Sequence, residues 1–282
     1  MSSTAPDTPD ISAPGADNAP ADAIHNGNPY FEGKPAAIVR EYPTQLHAIG
    51  PDGRLRLGAA FDLMQDIAGA HAELLGVGIH DLRRLGITWV LSRLMIRFDA
   101  LPPRADSVRL TTWPSGVHRL FAMRQFELSD PATGRRIATA SSYWLMLKLA
   151  NLRPVSPDDV TGKFPSNPGK PIFFEDWGKL DPAPGSDPVR TDIGQSKIDY
   201  NNHVNNAHYP MFAQDWLAAK LGYPVRVNSI RVNFNFALRL GESIVTTGEI
   251  NGDSFRAVGH TPDGRNVFAC DGTFAPMEIA EK

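Results

Sequence analysis

The stretch "DYNNHVNN", Asp199 to Asn206, gathers one carboxylate, one imidazole and four side-chain amides around a single aliphatic residue. An aspartate can orient or deprotonate a water. A histidine titrates near neutrality and can pass a proton in either direction, and an asparagine can position a substrate or a developing charge. Asp199, Asn201 and His203 are therefore candidates for acid-base hydrolysis of an activated carbonyl. The same residues also have a plainer use. Asn and Asp are favoured in turns and as helix N-caps, and a histidine before a helix is commonly a hydrogen-bonded structural group. From these residue types alone both readings stay open.

The segment that follows, "AHYPMFAQDWLAAKLG", is as apolar as a core helix, with Tyr209, Phe212 and Trp216 on one stripe and Gly222 at its end. Proline lacks an N–H and clashes with the preceding turn, so Pro210 must lie within the first turn. The spacing predicts a helix starting between Asn206 and Tyr209. Its free N–H groups and positive dipole end would then face the polar cluster, a setting suited to an oxyanion.

Other chemistry falls away. "GDSF" follows Asn251 at a predicted hairpin tip and reads as a turn. "HAELLG" lacks the second histidine and the glutamate of a zinc helix. The lone Cys270 lies on a predicted strand and reads as a small buried hydrophobe. No metal and no cofactor is expected.

The elements that must position the cluster come in two similar sets. Arg56 to Gly76 places Phe61, Met64, Ile67, Ala68 and His71 at helical spacing, and four β-rich runs follow: "ITWVLSRLMIRFDA", "DSVRLTTWP", "RLFAMRQFELSD" and "GRRIATASSYWLMLKL". Turn signals at Pro102-Pro103, Pro114-Ser115-Gly116 and Pro131 to Gly134 separate them. The second helix is followed by "VNSIRVNFNFAL", "ESIVTTGEI", "SFRAVGHT" and "GRNVFACDGTFAPM", with turns at Asn251-Gly252 and Asp263-Gly264. Residues 151–188, dense in Pro, Gly and Asp, read as a linker between the copies. The fold class is α+β: two tandem units, each a long buried helix wrapped by an antiparallel sheet, as in the hotdog fold. The division reads as a disordered tail over 1–30, a first unit over 31–168, and a linker strand with the second unit over 169–282.

Bulk properties fit this picture. The chain has 282 residues, 42% hydrophobic, with a formal net charge of −3. That charge gives no broad basic field for nucleic acid or an anionic membrane. The first thirty residues are rich in Ala, Pro, Asp and Ser and hold no Lys or Arg, a composition that neither folds nor resembles a targeting peptide. No uninterrupted apolar run is long enough to span a bilayer, so a cytoplasmic location is expected.

"DYNNHVNNAHYPMF" resembles the D-x-N-x-H-x-N-N signature of acyl-acyl carrier protein (acyl-ACP) thioesterases, a double-hotdog family, and "FDLMQDIAGAHAELLGVG", "TWVLSRLMIRF" and "LTTWPSG" resemble its first half. The resemblance runs from about residue 38 to the end. It implies that Asp199, Asn201 and His203 form a catalytic group in the second unit, acting on a fatty acyl chain borne by acyl carrier protein. Plant members carry a Glu-Cys pair on the strand after the second helix. Here that strand reads "FNFALRL" and has neither, which argues against a cysteine nucleophile and leaves the base to be assigned. The first unit has "GRLRLGAAFDLM" in place of the cluster, so it is expected to bind the acyl chain, with Met64, Ile67, Trp89 and Trp113 as lining candidates. Arg83, Arg84 and Arg119 could help dock an acidic carrier. Rival readings are an acyl-CoA thioesterase using the same residues and a non-catalytic acyl-binding protein. A homodimer is left open.

Overall fold

The computed structural model describes residues 23–99, 106–175, 178–180 and 185–279. In the first half, strand β1 (Ile38–Pro43) leads through a short 3-10 turn to helix α1 (Leu57–Leu74) and the one-turn helix α2 (Ile79–Arg84). Strands β2 (Ile87–Phe98), β3 (Ser107–His118), β4 (Phe121–Ser129) and β5 (Arg136–Lys148) follow. After β6 (Pro154–Val155) and α3 (Pro157–Thr161), the order recurs as β7 (Ser186–Asp192), a 3-10 turn, α4 (His208–Leu221), β8 (Val225–Phe234), β9 (Ser243–Asn251), β10 (Ser254–His260) and β11 (Asn266–Pro276).

The strands form one sheet in the order β1-β3-β4-β5-β2-β8-β11-β10-β9-β7, with β6 added on β5. The two halves meet edge to edge where β2 pairs antiparallel with β8, Arg93 opposite Asn233 through Arg97 opposite Ser229. This joins two edges that would otherwise expose unpaired backbone. Each half wraps its own helix, the two-unit α+β architecture expected from the sequence.

The helices form because their apolar spacing matches a buried stripe. Phe61, Met64, Ile67 and His71 on α1 and Tyr209, Phe212, Ala213, Trp216 and Leu217 on α4 are all buried. Gly76 and Gly222, both at positive φ, end the two helices as the sequence predicts. The main core runs continuously from α1 through α4 and the inner faces of both half-sheets. A smaller cluster lies beside it, built on Phe31, Leu75, Leu82, Met146 and Phe164.

Two expectations need revising. Pro114-Ser115-Gly116 does not end β3. The strand passes through it with a register shift and a positive φ at Gly116, and the chain turns at Arg119 instead. A bulge absorbs the proline without breaking the ladder. Residues 23–30, assigned to the tail by composition, are packed: Ala23 bridges Pro35, Ile24 is buried, and the Asn28 amide donates to the Thr161 and Lys163 carbonyls. Residues 1–22 and Pro102-Pro103 lie outside the described residues.

The linker's path explains two buried polar side chains. It crosses the outer face of the sheet. Asn167 donates to the Pro114 carbonyl, Phe173 packs edge-on against Trp113, and the Phe173 and Phe174 N–H groups donate to Gln125 Oε1 and Ser141 Oγ. Residues 178–180 then reach Arg231 and Arg256 of the second half, lining with them a cavity of about 200 Å³.

Candidate active site

The cluster is a tight turn closed on itself. Ile198 bridges Val204, the Asp199 N–H donates to the His203 carbonyl at 2.8 Å, and the Asn202 N–H donates to the Asp199 carbonyl at 3.0 Å. Asn202 takes φ 61°, a left-handed conformation that Asn tolerates better than most residues. Asp199 Oδ1 accepts the Asn201 N–H at 2.8 Å and the His203 N–H at 3.4 Å. One carboxylate oxygen therefore holds the turn. Among the described residues, Asp199 Oδ2, the Asn201 amide nitrogen and the His203 ring have no hydrogen-bond partner. The three candidates share this single turn, with Asp199 and His203 half-buried and Asn201 exposed.

Helix α4 starts at His208, within the range Pro210 dictates. Its first N–H groups are not free, however. Ala207 donates to Asn205 Oδ1, His208 to the Asn205 carbonyl and Tyr209 to the Asn206 carbonyl. The two asparagines thus satisfy the donors expected to face a substrate, and only the helix dipole remains available to it.

The other elements hold this turn from three sides; of the residues involved, the sequence pointed only to Arg83, as a docking cation, and Tyr209, on the helix stripe. Helix α1 supplies Gln65, whose amide both donates to Asn205 and accepts from Asn206, and Asp62, which accepts the Asn205 amide at 2.9 Å. Helix α2 supplies Arg83, 3.5 Å from Asn201 Oδ1 and lying over the Tyr200 ring. From beyond β8, the Leu238 carbonyl accepts the Val204 N–H at 2.8 Å, and its N–H donates to the Tyr209 hydroxyl at 3.1 Å. Burial first, then the nearby Asp199 and Glu242 carboxylates, push the Tyr209 phenol up to about 12, so it stays protonated as a structural hydroxyl. An available signal was the Gln65-Asp66 pair in α1, which matches Gln214-Asp215 in α4.

No carboxylate takes the place of the missing glutamate in "FNFALRL", where Leu238 is fully buried. Glu242 accepts the Arg239 N–H at 2.6 Å and pairs with Arg265 at 3.1 Å, closing the turn into β9. Cys270 is buried opposite Val232 and Ala257, and burial pushes its thiol far up, away from the nucleophilic thiolate. The described residues contain no group of three or more His, Cys, Asp or Glu placed to hold a metal ion.

The four lining candidates do not share one space. Met64 and Ile67 are fully buried in the main core. Trp89 is half-buried beside the smaller cluster and donates its indole N–H to the Val77 carbonyl. Trp113 lies on the outer face under Phe173 and Lys170, because β3 alternation turns Leu110 and Thr112 inward and Trp113 outward. The 200 Å³ cavity also opens on that outer face and includes none of the candidate residues.

The first half repeats the turn with different chemistry. Ile49 bridges Leu55, and the Gly50 N–H donates to the Arg54 carbonyl at 2.7 Å. Gly50, Asp52 and Arg54 thus stand where Asp199, Asn201 and His203 stand in the second. Only the second turn carries both an aspartate and a histidine.

Residues 36–163 match the family model for the acyl-ACP thioesterase N-terminal domain. The palmitoyl-ACP thioesterase of Arabidopsis thaliana is 28% identical over 183 residues, covering 60% of this chain and 44% of that protein. The oleoyl-ACP thioesterase 2 of the same plant is 27% identical over 212 residues, covering 68% and 56%. The chain spans about half the length of these relatives. In structure it is similar to an acyl-ACP thioesterase from Bacteroides thetaiotaomicron, at TM-score 0.75 and 23% identity, covering 85% of this chain and 98% of that one. It is also similar to the 12:0-ACP thioesterase of Umbellularia californica, at TM-score 0.73 and 18% identity, covering 86% and 98%. Residues 36–163 thus match the family's N-terminal domain, and the double-hotdog fold of these structures extends through the second unit of this chain.

Proposed function

We propose that this protein hydrolyses fatty acyl thioesters carried on acyl carrier protein, releasing a free fatty acid and the carrier thiol, with Asp199, Asn201 and His203 as its acid-base group. The supporting observation is the turn itself. It spends one Asp199 oxygen on its own backbone and leaves Asp199 Oδ2, the Asn201 amide nitrogen and the His203 ring uncommitted among the described residues. Asp199 Oδ2 takes a proton from water as the water oxygen attacks the thioester carbonyl. Asn201 positions the carbonyl. As the tetrahedral intermediate collapses, the carbon–sulfur bond breaks, a protonated His203 delivers its proton to the departing sulfur, and the proton held by Asp199 then passes to His203, restoring both groups. No enzyme nucleophile is needed, which suits a chain whose single thiol is buried.

In this reading the unit over 31–168 binds the acyl chain, with Met64 and Ile67 the lining candidates that share the main core with α4, and the unit over 169–282 carries the chemistry. No helix among the described residues is long and apolar enough to cross a membrane.

The test is thiol release from a panel of acyl-ACP and acyl-CoA thioesters, comparing the parent with Asp199→Ala and His203→Ala. The expected result is turnover of acyl-ACP and a loss of roughly a hundredfold or more in each variant. A faster rate on the CoA ester of the same chain would replace the carrier-protein assignment. A folded parent that cleaves none of the panel would end the hydrolase reading in favour of acyl binding alone.

A further inference from the structure

Strand register places many chain reversals at one end of the sheet. Ile87 of β2 lies opposite Lys148 of β5, Phe121 of β4 opposite His118 of β3, and Arg93 of β2 opposite Asn233 near the end of β8. The loops at 85–86, 119–120 and 149–153 therefore emerge at one end, and the 235–242 segment leaves β8 next to Arg93, several residues short of Ile87. The Asp199–His203 turn lies among them, tied to Leu238 and Arg83.

This end exposes bulky apolar side chains that a solvated rim does not need. Leu85, Leu149 and Leu152 are 59%, 48% and 66% exposed, and the Leu149 N–H donates to the Gly86 carbonyl, so two of these loops touch. On the other side of the turn, Phe236 and Leu240 are 41% and 60% exposed, and Tyr200 within it is 74% exposed. Scattered exposed leucines are ordinary, but a group around a candidate active site marks an interaction surface.

Cations predominate among the charged residues that flank them in the chain: Arg83, Arg84, Lys148 and Arg153, with Arg84 paired with Asp81 of α2 at 2.5 Å and Glu73 accepting the Ile79 N–H. Lys148 and Arg153 have no carboxylate partner among the described residues. A chain of net charge −3 thus concentrates cations and apolar side chains at the mouth of its candidate site. An apolar centre ringed by cations complements a partner presenting an acidic face with apolar side chains on it.

We propose that the α2 and β5–β6 loop surface, with Arg84, Leu85, Lys148, Leu149, Leu152 and Arg153, docks the acidic carrier protein that delivers the thioester to Asp199 and His203. The proposal rests on the hydrolase reading above and goes beyond it by assigning the surface. Docking here leaves a carrier-borne thioester beside Asn201, which Arg83 links to α2. Arg83 thus belongs to the site, while Arg84 and Arg153 stand outside it.

The test is the double variant Arg84→Glu/Arg153→Glu, both residues exposed and neither hydrogen-bonded to the Asp199–His203 turn. It is assayed on one acyl chain carried either by acyl carrier protein or by the small thiol N-acetylcysteamine. The expected result is a fall of roughly tenfold or more in kcat/KM on the carrier substrate, weaker salt dependence, and turnover of the small thioester within about twofold of the parent. Equal rates on the carrier substrate would overturn the surface, as would an equal loss on both substrates. Direct titration with the holo carrier separates this proposal from the hydrolase reading. Binding by the parent that the variant loses upholds the surface even if nothing is cleaved, and equal binding by both overturns it. Parent binding to anionic vesicles but not to the carrier would also overturn it.

Discussion

His71 and Arg124 place a titratable ring and a permanent cation side by side in the interior of the first unit. His71 is fully buried, its Nδ1 3.0 Å from an Arg124 nitrogen and its Nε2 2.9 Å from the Pro35 carbonyl. The same guanidinium nitrogen donates to Thr112 Oγ1 at 3.2 Å. With Arg124 donating, Nδ1 is the acceptor and Nε2–H the donor, so the ring is neutral. Burial, then the Arg124 charge, lower its pKa to about 3, against a small opposing effect of the Pro35 hydrogen bond. A folded pKa below the unfolded value near 6.5 means that the unfolded chain takes up the proton first. The stability from the neutral ring is therefore complete above about 6.5 and lost as pH falls toward 3, at roughly 1.4 kcal/mol per pH unit. In urea unfolding at pH 7, 6 and 5, His71→Gln is expected to show a slope shallower than the parent's by about that amount. Parallel curves would mean that the ring is not held neutral. The sequence marks His71 as part of a buried helix stripe, but its partner lies on β4, far along the chain, and no local pattern links the two.

At the scale of elements, the candidate site depends on the seam between α1 and α4. Gly58 lies so close to Met211 that a side chain there would clash with its sulfur. This close approach brings Gln65 within reach of both asparagines before α4. Gln65→Ala leaves Asn205 Oδ1 and the Asn206 side-chain amide without their Gln65 partner. A loss of about 1–3 kcal/mol in unfolding free energy is expected, with a lower kcat on any thioester the parent cleaves. Unchanged stability and turnover would show that α1 does not hold the turn. The start of α4 was legible because Pro210 admits few positions. The role of Asn205 and Asn206 in closing the helix's first N–H groups was not, because the same residues could have capped the helix or faced a substrate.

At the scale of the molecule, the two units are bound by the β2–β8 ladder, a continuous core and a linker laid across the outer face. Gln125 and Ser141, fully buried on that face, anchor the linker by accepting the Phe173 and Phe174 N–H groups. Gln125→Leu with Ser141→Ala removes both acceptors. The linker backbone is then expected to open locally while the helices and the inner core stay folded. Limited proteolysis should cut within 164–180 several-fold faster than in the parent, with little change in far-ultraviolet circular dichroism. An unaltered cleavage rate would mean that aromatic packing of Phe173 on Trp113 holds the segment without those bonds.

Local patterning is enough to specify the two helices, most strands, their repeated order and the polar turn, because each is written in short-range terms: apolar spacing, turn residues, and a proline or glycine with few allowed conformations. The tertiary structure decided which faces of those elements meet. It placed Trp113 outward, away from Met64 and Ile67, and paired His71 with Arg124. It brought α1, α2 and the segment after β8 around Asp199, Asn201 and His203. The same packing folded residues 23–30 onto the body and turned a Pro- and Gly-rich linker into a cover for the sheet. Such contacts join residues distant in the chain, and they follow from how layers pack and curve rather than from any local pattern.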